Sequence, residues 1–209
     1  MALANRRRFA NHALLVMNLM SAPGAGKTTL LEATLTRLQG ELRAAVIEGD
    51  LQTDLDAQRI AALGVRAHQI TTGTVCHLDA RMIARALVTF SVDDLDLLII
   101  ENVGNLICPA SFDLGESLRV VVCSVAEGAE KPKKYPVMFN KANVVLINKI
   151  DLAEASGVDI AELTRNVREV SPHATIFALS ARTGVGLEAW TGWLRSAVVA
   201  HVDAALVGA

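Results

Sequence analysis

The sequence predicts an α/β protein with a mostly parallel central sheet flanked by helices. Three observations carry that prediction. Apolar, strand-like runs alternate with helix-patterned segments from one end of the chain to the other, the mark of repeated βα units. Several of the runs, Leu97–Ile100 among them, are apolar without alternation, as strands buried on both faces should be. The first run leads directly into a Gly-rich turn and then a helix pattern, a strand–turn–helix junction.

The elements follow in order. Strands are expected at Leu14–Met20, Ala44–Glu48, Ala67–Thr71, Leu97–Glu101, Arg119–Val125, Val144–Asn148 and Thr175–Leu179. Helices are expected at Thr28–Leu38, Leu55–Leu63, Leu78–Phe90, Ile160–Val170 and Leu187–Leu206. Gly40 and Gly64 stand where C-terminal caps belong, and Ser171-Pro172 closes the fourth helix. In the last helix Leu187, Trp190, Leu194 and Val198 fall at helical spacing and read as a core-facing stripe. The basic cluster Lys131-Pro-Lys-Lys134 reads as a solvated loop. No repeat, linker or low-complexity tract divides the chain, so residues 1–209 are expected to form one domain.

Composition excludes several function classes. A length of 209 residues with 52% hydrophobic content suits one large core. A formal net charge of -2 gives no bulk attraction to nucleic acid or to an anionic membrane. Aromatics at 4% argue against base-stacking platforms. Three cysteines, an odd count, fit a reduced compartment better than a disulfide scaffold. Arg6-Arg-Arg-Phe9 before an apolar stretch imitates a twin-arginine signal, but cleavage near Ala22 or Ala25 would cut the Gly-rich turn. The apolar runs fall short of the ~18 residues a membrane span requires. A cytoplasmic protein is expected.

The Gly-rich turn is Ser21-Ala-Pro-Gly-Ala-Gly-Lys-Thr28, a phosphate-binding loop. Its backbone N–H groups and the following helix dipole form an anion nest. Lys27 adds a point charge for the β/γ-phosphates, and the Thr28 hydroxyl can join a Mg²⁺ shell. Gly24, Ala25, Gly26, Lys27, Thr28 and Thr29 are the expected phosphate contacts. Ser21 replaces the first Gly of the strict pattern. The base is indicated by Asn148-Lys149-Ile-Asp151, after an apolar run. A carboxylate at Asp151 can accept from both N1–H and the exocyclic amine of guanine, a donor pair that adenine lacks. Ser180-Ala181-Arg182, after the last strand, resembles the loop through which GTPases offer a backbone N–H to guanine O6. GTP and GDP are the expected ligands.

Glu101-Asn-Val-Gly104 stands where GTPases carry Asp-x-x-Gly, with Glu101 in place of Asp. Glu101 and Asp50 are assigned to the Mg²⁺ shell, and Asp56 is a second candidate for positioning water. Gly104 can move its backbone N–H to a γ-phosphate. With Lys27, Asp50, Asp56 and Gly104 form the expected catalytic set. Asn105 follows Gly104 where a water-orienting Gln is usual, so slow intrinsic hydrolysis is expected.

Cys76-His77 precedes the third predicted helix, whose N-terminus favours a thiolate at Cys76. Cys108 lies just past Gly104. Two thiolates and an imidazole suit Ni²⁺ or Zn²⁺ and are poor partners for Mg²⁺. A fourth position is left for water, Asp79 or a neighbouring subunit. Taken bare, the pattern equally allows buried structural cysteines. Cys123, inside Val120-Val-Val-Cys, reads as a strand core residue without a role, and His12, His68, His173 and His201 as ordinary histidines.

Thr72-Gly73-x-x-Cys76-His77-Leu78-Asp79-Ala80 and Glu101-Asn-Val-Gly-Asn-Leu-Ile-Cys108-Pro109 together resemble the hydrogenase nickel-incorporation GTPases, the HypB family. Glu127-Gly-x-x-Lys131-Pro-x-Lys-Tyr-Pro136 and Asn5-Arg-x-x-Phe9 are similar too, so the resemblance covers nearly the whole chain. It implies a phosphate-loop NTPase fold of the SIMIBI class and a metallochaperone-like GTPase that forms a homodimer around nucleotide. It implies a nickel-binding hydrogenase accessory protein and the hydrogenase large subunit precursor as partners, and Cys76, His77 and Cys108 as the metal site. Many members carry a Cys-rich or His-rich stretch before the GTPase domain. Here the first cysteine is Cys76 and one histidine precedes Ser21, so terminal nickel sequestration is not expected. Two other readings share parts of the pattern. The urease accessory GTPases carry Cys-Pro-His, whereas Ala110 follows Cys108-Pro109 here. A regulatory GTP switch would leave the cysteines purely structural.

Overall fold

The computed structural model describes residues 1–51 and 55–207. Seven strands form one sheet: β1 (Leu15–Ser21), β2 (Ala44–Asp50), β3 (Arg66–Thr71), β4 (Leu97–Glu101), β5 (Leu118–Ser124), β6 (Val144–Asn148) and β7 (Thr175–Ala178). Their order is β3-β2-β4-β1-β5-β6-β7, and every pairing is parallel. The helices are α1 (Ala2–Asn11), α2 (Lys27–Leu38), α3 (Leu55–Ala61), α4 (Ala80–Thr89), α5 (Lys131–Lys134), α6 (Pro136–Asn140), α7 (Ala153–Ser156), α8 (Ile160–Val170) and α9 (Leu187–Val207).

Both sheet faces are covered, which explains the unbroken apolar strands. On one face Leu15, Met17, Leu19, Ile99 and Val120 pack with α2, α3 and α9, where the predicted stripe Leu187, Trp190, Leu194 and Val198 is buried. On the other, Val16, Ile47 and Ile100 pack with Phe9 of α1 and Ile83 and Leu87 of α4. Further along that face, Val121, Val145 and Ile147 meet α6 and α8. Each such side chain contributes about 1.5–3 kcal/mol of transfer free energy. The chain leaves β1 towards β2 on one side and crosses from β4 to β5 on the other. Connections that diverge in this way open a crevice at the carboxyl ends of β1 and β4.

Three local features differ from the sequence expectation. The N-terminal segment is a helix, α1, held down by Phe9 at 1% exposure and by Asn5, whose Nδ2 donates to the Ala80 and Leu114 carbonyls at 2.9 Å. The third predicted helix begins at Ala80, not Leu78, because Asp79 is its N-cap: its Oδ1 accepts from the Arg81 and Met82 N–H groups at 2.8 Å. The basic cluster is not a loop but the one-turn helix α5, with Pro132 buried beneath it. Its lysines pair with Glu127 at 3.6 Å, Glu169 at 2.8 Å and Glu130 at 2.9 Å, so it offers little unmatched positive charge.

Candidate functional site

The turn after β1 is built for close approach by an anion. Gly24 and Gly26 hold φ of +73° and +91°, values that L side chains rarely adopt. A Cβ at Gly26 would also meet Asn148 Nδ2 at 2.8 Å. Ser21, where the strict motif has Gly, is the fully buried last residue of β1 and accepts from Lys27 Nζ at 3.1 Å. The substitution therefore gives the lysine a resting partner at the mouth of the turn.

A cavity of about 410 Å³ lies over this turn, lined by Lys27, Thr28, Asp50, Asp56, Glu101 and Gly104 among others. It gathers the expected phosphate and magnesium residues on one surface. Thr28 Oγ1 donates to Glu101 Oε1 at 3.2 Å, and Lys27 Nζ stands 3.9 Å from the same oxygen. Two residues were passed over in the sequence. Glu48 pairs in register with Glu101 across β2 and β4 and is 2% exposed. Burial, then the Glu101 carboxylate, raises the Glu48 pKa. Burial also pushes Glu101 upward, against the pull of Lys27. Glu48 Oε1 and Glu101 Oε2 are buried acceptors without a hydrogen-bond partner. A hard divalent cation wants carboxylate oxygens of this kind, so the donor set fits Mg²⁺. The second omission is Arg59 on α3, which pairs with Glu32 at 2.6 Å and Asp56 at 3.2 Å over the same cavity. Asp56 is thus held by an ion pair in this conformation.

A second cavity, about 580 Å³, shares Gly26 and Thr29 and is lined by Asn148, Lys149, Asp151, Ala181 and Arg182. Asn148 organises it. Its Nδ2 donates to the Ala25 carbonyl at 3.0 Å, and its Oδ1 accepts from the Ala181 N–H at 3.1 Å. One buried carboxamide therefore locks the Asn148–Asp151 turn to the phosphate loop and to the Ser180–Arg182 loop. Lys149, at φ +62°, lays its Nζ on the Gly24 carbonyl at 2.6 Å. Ser180 is fully buried and its Oγ accepts from Thr183 N–H at 3.1 Å, holding that turn. Asp151 and Arg182 are exposed at the cavity rim.

The cysteine–histidine group forms beside the crevice. Ligand atoms of Cys76, His77 and Cys108 lie within 4.8 Å of one another, the one such cluster of His, Cys, Asp and Glu among the described residues. Cys76 Sγ and Cys108 Sγ share one hydrogen bond at 2.8 Å. Holding that proton on Cys108, together with loss of solvent, raises the Cys108 pKa. The His77 ring stacks on Phe112, with centroids 3.8 Å apart and planes at 19°, and its Nδ1 is buried without a partner. A soft cation bound by both sulfurs would replace the shared proton and meet the orphaned imidazole. Cys76 lies in the bend before α4 rather than at the helix N-terminus, and Asp79, offered as a fourth ligand, is occupied as the cap. Asn105 accepts from the Ile107 and Cys108 N–H groups at 2.8 and 3.4 Å. The residue after Gly104 thus shapes the turn that presents Cys108. Cys123 is 1% exposed, and burial pushes its thiol up to about 12, in keeping with a core residue.

Comparison with known proteins gives a consistent result. The family model described as "CobW/HypB/UreG, nucleotide-binding domain" matches residues 15–178. The chain is 52% identical over 192 residues to the hydrogenase maturation factor HypB of Escherichia coli K12, covering 92% of this chain and 66% of that protein. It therefore spans about two thirds of that relative's length. It is 42% identical to the hydrogenase/urease maturation factor HypB of Helicobacter pylori 26695, over 90% of this chain and 79% of the relative. The crystal structure of HypB from Helicobacter pylori in complex with nickel aligns with TM-score 0.91 and 40% identity, covering 96% of this chain and 94% of that one.

Proposed function

The chain belongs to the CobW/HypB/UreG nucleotide-binding family, within it to the HypB maturation factors, and on that premise we propose a GTP-dependent nickel carrier for hydrogenase assembly. Its seven-stranded, all-parallel sheet is that of a SIMIBI-class P-loop GTPase. The observation that carries the proposal is the placing of two thiols and an unpartnered imidazole within 4.8 Å of one another, on segments that flank the phosphate cavity. Nickel is the cargo; Cys76, His77 and Cys108 hold it, and Zn²⁺ competes for the same donors.

Guanine selectivity is assigned to Asp151, with Asn148, Lys149 and the Ser180-Ala181-Arg182 loop framing the base. The phosphates lie on Gly24 to Thr29. Thr28, Glu101 and Asp50 hold Mg²⁺, with Glu48 behind Glu101. Mg²⁺ held there would offset the negative charge of the phosphates. Lys27 leaves Ser21 for the phosphates, Gly104 turns its N–H towards the γ-phosphate, and Asp56 positions water once released from Arg59. With Asn105 committed to the Cys108 turn, intrinsic hydrolysis is slow. A homodimer formed with nucleotide supplies the remaining metal ligands. The protein acts in the cytoplasm with a nickel-binding accessory protein and delivers to the hydrogenase large subunit precursor. The combined hydrogenase/urease name of the Helicobacter pylori relative favours a second reading, with urease as a further recipient. Among the described residues no helix is long and apolar enough to cross a membrane.

The test is a calorimetric titration of Ni²⁺ into wild type, Cys76→Ala and Cys108→Ala, with GDP binding followed in parallel. Each variant should lose at least about tenfold in Ni²⁺ affinity and keep GDP. Unchanged Ni²⁺ affinity in both variants would remove the metal half of the proposal.

A further inference from the structure

Asn18, in the middle of β1, is fully buried, and Asn102, the residue after Glu101, is 1% exposed. Buried carboxamides are costly unless their donors and acceptors are met, and these two meet each other. Asn102 Nδ2 donates to Asn18 Oδ1 at 3.2 Å, and Asn18 Nδ2 donates to Glu116 Oε1 at 3.4 Å. The other end of Asn102, Oδ1, accepts from the backbone N–H groups of Leu78 and Val103, each at 3.0 Å. Asn102 therefore grips the residue next to His77.

The other arm of the cluster is reached through Glu116. That carboxylate, 7% exposed, accepts from Leu114 N–H and Arg119 Nε, each at 2.7 Å. The Arg119 guanidinium donates to the carbonyls of Ala110 at 3.3 Å and Phe112 at 2.9 Å. This stretch bears Cys108 at one end and, at the other, the Phe112 ring that covers His77. Leu78 is also held from a second side. It is fully buried against Gly49, where a Cβ would come within 2.7 Å of it, and Gly49 stands between Glu48 and Asp50 in the phosphate cavity.

We propose that Asn102 is the positioning residue through which nucleotide state sets the geometry of the Cys76–His77–Cys108 cluster. It lies between Glu101 and Gly104, on the segment that answers to the γ-phosphate. A shift of that segment moves Oδ1 relative to Leu78 N–H. A buried N–H cannot be left unpartnered without a penalty, so Leu78 follows and takes Cys76 and His77 with it. The chain Asn102–Asn18–Glu116–Arg119 restrains the Cys108 arm, so the two arms move relative to each other. The contiguous hydrogen bonds offer a physical path for such coupling.

This inference rests on the proposed pairing of a nucleotide site with a nickel site, and the experiment separates the two. Ni²⁺ affinity is measured in wild type and Asn102→Ala, with GDP and with a non-hydrolysable GTP analogue. Wild type should show a ratio between the two states of about 5–150-fold. Asn102→Ala, with all three ligands intact, should bind Ni²⁺ with a ratio below about twofold. A merely structural asparagine would lower the melting temperature and leave the ratio alone. A wild-type ratio of one overturns the pairing and this inference with it. A wild-type ratio above about fivefold that persists in Asn102→Ala overturns this inference alone. Because the substitution also strands Asn18 and Leu78 N–H, hydrogen exchange in the wild type supplies a second readout that does not depend on the variant folding. Protection of the Leu78 amide should change by at least about tenfold between the two nucleotide states, while the β5 amides stay constant. Equal protection overturns it.

Discussion

Asp151 and Glu48 show how differently single residues declare themselves. Asp151 is legible in the sequence because a carboxylate three residues past Asn148, after an apolar run, has a guanine donor pair to match. Asp151→Asn should shift preference from guanine to xanthine nucleotides, whose C2 oxygen can accept from the new amide; competition binding with GDP, XDP and ATP checks this, and displacement of GDP by equimolar ATP would contradict it. Glu48 stood in view at the end of the expected strand Ala44–Glu48, yet only the register across β2 and β4 sets it against Glu101. Its folded pKa, about 9, lies above the ordinary glutamate value of 4.5. A raised carboxyl gives stability that is complete below the unfolded value and is lost as pH rises towards the folded one. Ligand-free wild type should therefore lose stability relative to Glu48→Gln between about pH 5 and about pH 9. Denaturation at a series of pH values tests the point, and parallel profiles for the two proteins would refute it.

At the scale of elements, the strands were legible and the connecting segments less so. Strands buried on both faces announce themselves as apolar runs, and each observed strand lies within a few residues of its expected place. The α1 helix left a weak signal because it turns few residues inward, chiefly Asn5 and Phe9, and a run of arginines masks them. Its stability comes from tertiary contact rather than pattern. Phe9→Ala should cost about 3–5 kcal/mol through loss of a fully packed ring, and chemical denaturation would expose a smaller effect. The α4 start was misplaced by the apolar Leu78, which belongs to the buried plug on Gly49 and not to the helix. Asp79→Ala should cost about 0.5–2 kcal/mol as a lost cap. It should leave Ni²⁺ affinity within about twofold, since that carboxylate serves the helix; a tenfold loss would instead make Asp79 a ligand.

At the scale of the molecule, two sites share the carboxyl edge of one sheet and the segment from Glu101 to Phe112. The nucleotide motifs were legible in sequence because they rely on short, fixed spacings, whereas Cys76 and Cys108 stand 32 residues apart and were joined in the sequence only by the family resemblance. The physical connection between the two sites was not legible, because Asn18 and Glu116 belong to no motif, and Asn102, inside Glu101-Asn-Val-Gly104, gives no sign there of its partners. Only the order β4-β1-β5 brings them together. A segment biased by both ligands makes their binding reciprocal: a nucleotide state that tightens nickel is itself tightened by nickel. The most direct measurement is the Ni²⁺ dissociation constant of the wild-type chain with GDP and with a non-hydrolysable GTP analogue, at matched protein concentration. The two constants should differ by about 5–150-fold, equivalent to about 1–3 kcal/mol, and nickel should change the ratio of nucleotide affinities by the same factor. Equal constants in the two states would contradict the coupling and reduce the bound metal to a static structural ion.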